Sequence, residues 1–192
     1  MEPTRNQAYE LMTSWTTSDS LRKHMLAVEA AVVAYAEKYV EDEELWAVAA
    51  LLHDFDYEKY PIGGEQGHPY VGVAHLTELG YPELITTAIL GHADFTGVAR
   101  DSLLARVLYA CDEVTGLITA AVLVRPDKDI ANQTLKSLKK KFKDKAFARG
   151  VNREDVRRGA HELEVDLWDH IDFVLKAMQG RADLLELDGR MA

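Results

Sequence analysis

A run of apolar residues from Leu45 to Leu52 ends on a histidine and a carboxylate side by side, His53-Asp54. A segment that is hydrophobic on every side belongs inside a protein. An ionised aspartate at its end is costly there unless something pairs with it or coordinates it. A divalent cation is the economical partner, so the rest of the chain has to supply the other ligands.

The chain around this run is that of a helical protein. It has 192 residues, 47% of them hydrophobic, with only 12 Gly and 5 Pro, which favours helices over a turn-rich β fold. That length allows one substantial domain with a helical extension. A net charge of −10 argues against nucleic-acid or anionic-membrane binding, which needs a basic surface. Cys111 is the only cysteine, so no intrachain disulfide can form and a reducing compartment fits. The N-terminus lacks an apolar signal core and no window approaches a membrane span. A soluble cytoplasmic protein is expected.

Residues 4 to 17 read as a short amphipathic piece with Tyr9, Leu11, Met12 and Trp15 inward. Ser18-Asp19-Ser20 supplies a cap for a second helix, whose stripe is Leu21, Met25, Val28, Val32, Tyr35 and Tyr39. His24 lies at the edge of that stripe, where a lone histidine is more often packed than ligating. Asp42-Glu43-Glu44 opens the buried helix, its acids favourable with the dipole. Adjacent helical side chains diverge by about 100°, so His53 and Asp54 share one ion only near the helix end, or Asp54 reaches a second ion. The polar loop 55–67 is a natural place for substrate contacts, although solvated loop charge is the simpler account of its Asp56, Glu58 and Lys59.

His68-Pro69 opens the next helix, which stops at Gly80. Pro82 opens another that carries Ile85, Ala88, Ile89 and His92 on one face. His75 falls on the outer side. A helix over 102–124 buries Leu104, Val107, Leu108, Cys111, Val114 and Ile118. Asp112 stands within that stretch, where a bridge to Arg106 would be the simple structural explanation. Arg125-Pro126 breaks the chain. Beyond it, one lysine-faced helix is predicted over 130–145 and one long helix over 162–179, followed by a mobile tail over 181–192. His161 and His170 have no acids at ligand spacing and are left outside the metal set.

The exceptional polar residues are therefore His24, His53, Asp54, His68, His92 and Asp112, each at the boundary of an apolar face. Imidazole and carboxylate donors without thiolate suit Mn, Fe, Ni, Mg, Zn or Co. Six ligands exceed what one tetrahedral ion needs, which points to two ions as readily as one.

The order H…HD…D at His24, His53-Asp54 and Asp112 resembles the HD-domain superfamily of metal-dependent phosphohydrolases. His68-Pro69…Gly72, Leu79-Gly80-Tyr81-Pro82-Glu83 and Ala88-Ile89…His92 are similar to its HDIG-type branch, in which two extra histidines support a second metal. The lysine-rich stretch after residue 135 looks like that of small bacterial HD hydrolases. Phe55-Asp56 replaces the Ile-Gly that often follows the HD pair, and the lysine of the HDIG-GYP phosphodiesterases is absent. Gly80-Tyr81-Pro82 precedes His92 and is a coincidence.

The resemblance implies an all-α fold with a metal-binding core over 18–124 and an extension over 125–180. It implies that Asp54 bridges two ions, with His24, His53 and Asp112 completing one and His68 and His92 the other. The reaction implied is hydrolysis of a small phosphorylated molecule of nucleotide type. Asp56, Glu58 or Asp94 are candidates to orient water or protonate the leaving group, and Lys59 or Arg125 to hold phosphate. An HD-fold di-iron oxygenase and a non-catalytic nucleotide-binding or signalling domain share these ligands.

Overall fold

The computed structural model describes residues 3–61, 64–190 and 192. Among them are nine α-helices and no strand, so the expected all-α class holds. The chain divides into two compact units, Met1–Tyr109 and Ala110–Ala192.

The first unit is organised on the predicted apolar run. Helix α1 (Arg5–Trp15) starts in a capping box between Thr4 and Gln7, which satisfies two otherwise orphaned amides. Helix α2 (Asp19–Tyr39) is capped by Ser18 and ends at Val40 in the left-handed region. Helix α3 (Glu43–Leu52), capped by Asp42, buries every residue from Trp46 to Leu52. It packs against both earlier helices and against α5 (Glu83–Gly91). Burying a leucine such as Leu51 or Leu52 is worth roughly 1.5–3 kcal/mol, so the position of α3 is firmly determined. Arg5 forks onto the buried Glu29 at 2.5 and 2.9 Å, pairing the one carboxylate on the inner face of α2. Arg22 donates to the carbonyls of Thr16 and Thr13 at 2.6 and 2.7 Å, closing the end of α1. A cis His68–Pro69 peptide leads into α4 (Tyr70–Glu78). The turn at Gly80 has φ +78°, a conformation natural to glycine.

Helix α6 (Leu103–Leu123) begins in the first unit and continues into the second. The division of the chain into compact units therefore falls inside a helix. In the second unit two expectations need correction. The lysine-faced helix is shorter, α7 (Leu135–Lys143), because Thr134 caps it, and Ile130–Asn132 forms a separate 3-10 turn capped by Asp129. The last helix is α9 (Leu167–Gln179), starting later than expected, and an unpredicted helix precedes it, α8 (Arg153–Glu162). Glu164 at φ +58° and the Asp166 cap separate them. Gly159 lets α8 approach α6, since a Cβ there would stand 2.7 Å from the Ala110 Cα. His170 is buried and donates to the Ala110 carbonyl at 2.8 Å, a structural role that satisfies both groups.

The 181–190 segment packs rather than trailing as a tail. Leu185 and Leu187 are buried, and Ile130 N–H donates to the Leu187 carbonyl at 2.7 Å. Among the described residues no helix is long and apolar enough to cross a membrane.

Candidate metal centre

Five of the six expected ligands lie in the first unit, and the fold gathers them. Helix α2 presents His24 from its second turn. The close of α3 delivers His53 as the C-cap residue, with Asp54 next in the turn. His68 precedes the cis proline, and His92 is the C-cap of α5. Each therefore sits where a buried element ends and side chains can converge.

Hydrogen bonds at the far side of three imidazole rings fix which nitrogen faces the centre. His53 Nδ1–H donates to the Ala50 carbonyl at 2.7 Å, and His92 Nδ1–H donates to the Ile89 carbonyl. His68 Nδ1–H donates to Asp56 Oδ1 at 2.7 Å. Carbonyl and carboxylate oxygens accept rather than donate, so each of these bonds places a proton on Nδ1, and the neutral ring carries its lone pair on Nε2. Those Nε2 atoms then meet in pairs: His24 and His53 at 3.3 Å, His68 and His92 at 3.3 Å.

The Asp54 carboxylate, 16% exposed, lies between the two pairs. Its Oδ2 stands 3.6 Å from His24 Nε2 and 3.5 Å from His53 Nε2. Its Oδ1 stands 3.3 Å from His68 Nε2 and 3.4 Å from His92 Nε2. Ligands about 2.1 Å from an ion are separated by roughly 3.0 Å at octahedral and 3.4 Å at tetrahedral angles. The observed spacings, 3.3–3.6 Å, are close to the longer of these edges. The ligand atoms of Asp54, His68 and His92 all lie within 4.8 Å of one another.

The charges demand a cation. Lone pairs from two buried imidazoles and a carboxylate facing one another are mutually repulsive unless a proton or a metal ion lies between them. Burial on its own would push Asp54 up. Attraction to His53, then a hydrogen bond from His92 with attraction to His92 and His24, outweighs that and holds the carboxyl well below the usual range. The donor set, nitrogen and oxygen without sulfur, fits a divalent ion.

Asp56 belongs to this centre in a way its sequence position conceals. It is 1% exposed, so it is not solvated loop charge. Its second oxygen accepts the Gly72 N–H at 2.7 Å. A Cβ on Gly72 would fall 2.7 Å from Asp56 Cγ and 2.8 Å from a Phe55 ring carbon, which gives that glycine a packing reason.

The remaining candidates have other partners. Glu58 accepts the backbone N–H groups of Thr17 and Ser18 at 2.8 and 2.9 Å, and the Thr17 hydroxyl. The Lys59 ammonium stands 4.6 Å above the Trp15 ring. Asp94 pairs with Arg100 at 3.0 Å. Arg125, in the second unit, forks onto Asp127 at 2.8 and 2.7 Å. Asp112 stands half-buried on α6, beyond the point where the units divide. His75, half-buried, packs against Trp15 at 4.8 Å.

Compared with known families, residues 21–117 match the model of the HD domain, about half of the chain and a span that includes every candidate ligand. Comparison with curated proteins and with solved structures gave no match.

Proposed function

The chain belongs to the HD domain family, and from that membership and the arrangement around Asp54 we propose a metal-dependent phosphohydrolase of the HDIG type, with two ions, acting on a small nucleotide-like phosphoester. HD domains belong to a superfamily of mostly metal-dependent hydrolases, and the histidine and aspartate groups here fit a metal site. The observation that carries the reading is the division of Asp54 between two histidine pairs at 3.3–3.6 Å. A carboxylate with each oxygen aimed at a separate pair suits two ions better than one.

In this reading His24 and His53 hold one ion, and Asp112 occupies the last aspartate of the family order. His68 and His92 hold the other. When bound, such ions supply a Lewis acid for the phosphoryl oxygens and acidify water near neutral pH. The chain's own part is to orient. Ala50, Ile89 and Asp56 keep Nε2 of three histidines free for coordination, and the buried end of α3 fixes Asp54.

The substrate class is supported by aromatic groups beside the histidines. Tyr57 is 41% exposed and sets its ring edge 5.3 Å from His68. Phe95, 51% exposed, follows His92 by one turn and meets Tyr70 edge-on at 6.5 Å. An exposed ring of this kind stacks a base for about 1–3 kcal/mol. A cytoplasmic setting agrees with the single, buried Cys111.

Elemental analysis of protein purified without added metal or chelator tests the centre, and a phosphoester panel tests the reaction. Two equivalents of metal and a hydrolysis lost in Asp54→Ala are expected. Turnover that survives both metal stripping and Asp54→Ala sinks the proposal, and turnover that requires oxygen and yields no phosphate replaces it with an oxygenase.

A further inference from the structure

The second unit contains a cleft of about 730 Å³ lined by cations. Five basic residues, Lys143, Lys145, Arg149, Arg153 and Arg157, face a single acid, Glu154. The excess is local, because the whole chain carries −10. In so acidic a protein cations have partners to spare, and several nearby ones use them. Arg157 pairs with Glu154 at 3.3 Å, and Arg158 pairs with Asp155.

Lys143, Lys145 and Arg149 do not. All three are exposed, and none makes a hydrogen bond or ion pair among the described residues. The one acid in the 144–152 loop, Asp144, accepts the Ala146 N–H at 2.9 Å instead. The loop is held by Arg153, whose guanidinium donates to the carbonyls of Ala148 and Val151 at 2.6 and 2.8 Å. Its Nε is buried without an acceptor. Three like charges along one cleft repel one another, and an anion between them relieves that repulsion.

We propose that this cleft, between the end of α7 and the start of α8, is a binding site for a small polyphosphate anion, a chain of two or three phosphates, free or on a nucleoside. The volume suits a small molecule, since such sites run to about 300–1,000 Å³. Three unpaired cations match the charge of a di- or triphosphate. Nucleic acid is disfavoured, because the basic residues form one cleft in an acidic chain rather than a stripe along it. The site shares no residue with the candidate metal ligands, so it stands whether or not the hydrolase reading does.

Calorimetric titration of the full chain with inorganic tripolyphosphate at low salt tests it, with ATP as a second arm. The triple variant Lys143→Gln, Lys145→Gln, Arg149→Gln is compared with the charge-matched Lys136→Gln, Lys140→Gln, Lys176→Gln, both checked for unchanged melting temperature. The cleft triple should weaken tripolyphosphate binding on the order of ten-fold or more, a loss of about 1.4 kcal/mol, and the control triple less than about two-fold. ATP equal to tripolyphosphate identifies the phosphates alone as the ligand; ATP ten-fold tighter identifies a nucleoside polyphosphate. No binding, equal weakening in both triples, or binding unaffected by the cleft triple overturns the proposal. Tighter binding of a single-stranded RNA oligonucleotide than of tripolyphosphate also overturns it.

Discussion

Replacing Asp56 with asparagine should weaken metal binding although Asp56 is not among the candidate ligands. The carboxylate accepts from His68 Nδ1–H and from Gly72 N–H, each at 2.7 Å. Asparagine has the same shape but one oxygen and one NH2. If the oxygen keeps His68, the NH2 faces a backbone N–H, which cannot reverse its polarity. If the oxygen turns to Gly72, the NH2 faces His68 Nδ1, and the imidazole relieves the conflict by moving its proton to Nε2. That is the nitrogen aimed at Asp54 and His92, so the ligand is lost to the wrong tautomer. Losing an outer partner of this kind costs metal affinity about 10–100-fold, or roughly 1.4–2.7 kcal/mol. The metal-free protein should also lose stability, because a hydrogen bond to a buried charged group is worth about 1.5–3 kcal/mol. Competition against a chromophoric chelator measures the first effect, and urea unfolding of the chelator-treated protein measures the second. Gly72→Ala should reproduce the affinity loss by displacing Asp56. Metal affinity within two-fold of wild type in Asp56→Asn would refute the reasoning.

Glu58→Gln should lower the melting temperature only where Glu58 is ionised. The Thr17 hydroxyl first, then the Ser18 and Thr17 N–H groups, hold its carboxyl below the ordinary range. Its contribution is therefore complete above the unfolded value of about 4.3 and lost as pH falls through the lower folded value; a melting-temperature deficit that persists unchanged into strong acid contradicts this. Gly159→Ala forces a Cβ to within 2.7 Å of the Ala110 backbone and should cost roughly 1–3 kcal/mol in chemical unfolding, whereas wild-type stability would show that α8 can move away. Cys111 is fully buried, and only an accessible thiolate reacts readily. Its modification by a chromogenic disulfide should therefore follow global unfolding, and rapid labelling of the native protein would contradict the packing.

The candidate metal centre was legible in sequence where chemistry and hydrophobic pattern conflicted. His53-Asp54 after Trp46–Leu52, and His92 after Ile85–Ile89, each put a polar group at the end of a buried face, and the structure brings both to one place. Asp56 was not legible in this way. It follows Phe55 in a stretch shared with Tyr57, Glu58 and Lys59, and nothing local distinguishes a buried carboxylate from its solvated neighbours. What distinguishes it is Gly72, sixteen residues away, whose missing side chain makes room for it. Helix α8 was missed for a related reason. Of Arg153–Glu162 only Val156, Gly159 and Ala160 are buried, so its packing rests on small residues that give a weak apolar period.

The loop after the HD pair shows how charged residues that read alike divide their tasks. Phe55 is buried against Trp15 at 4.9 Å, Lys59 lies over that same ring, and Glu58 takes the amides of Thr17 and Ser18. All three tie the loop to the end of α1 and the start of α2, and α1 lies outside the metal-binding core expected from sequence. The carbonyl of Phe55 is held in the same way, by the buried Thr16 hydroxyl at 3.0 Å. With the chain pinned on both sides of it, Asp56 has one place to go, inward between His68 and Gly72. Glu58 and Lys59, which sequence offered for acid–base and phosphate roles, both anchor this loop, and the anchoring bears on the orientation of one imidazole. Loosening that anchor at Trp15 should therefore reach the metal before it reaches the fold. Trp15→Ala is expected to reduce metal affinity through His68 while α3, buried from Trp46 to Leu52, keeps the helical content unchanged by circular dichroism. Undiminished metal affinity in Trp15→Ala would show that Asp56 is positioned by Gly72 and His68 alone.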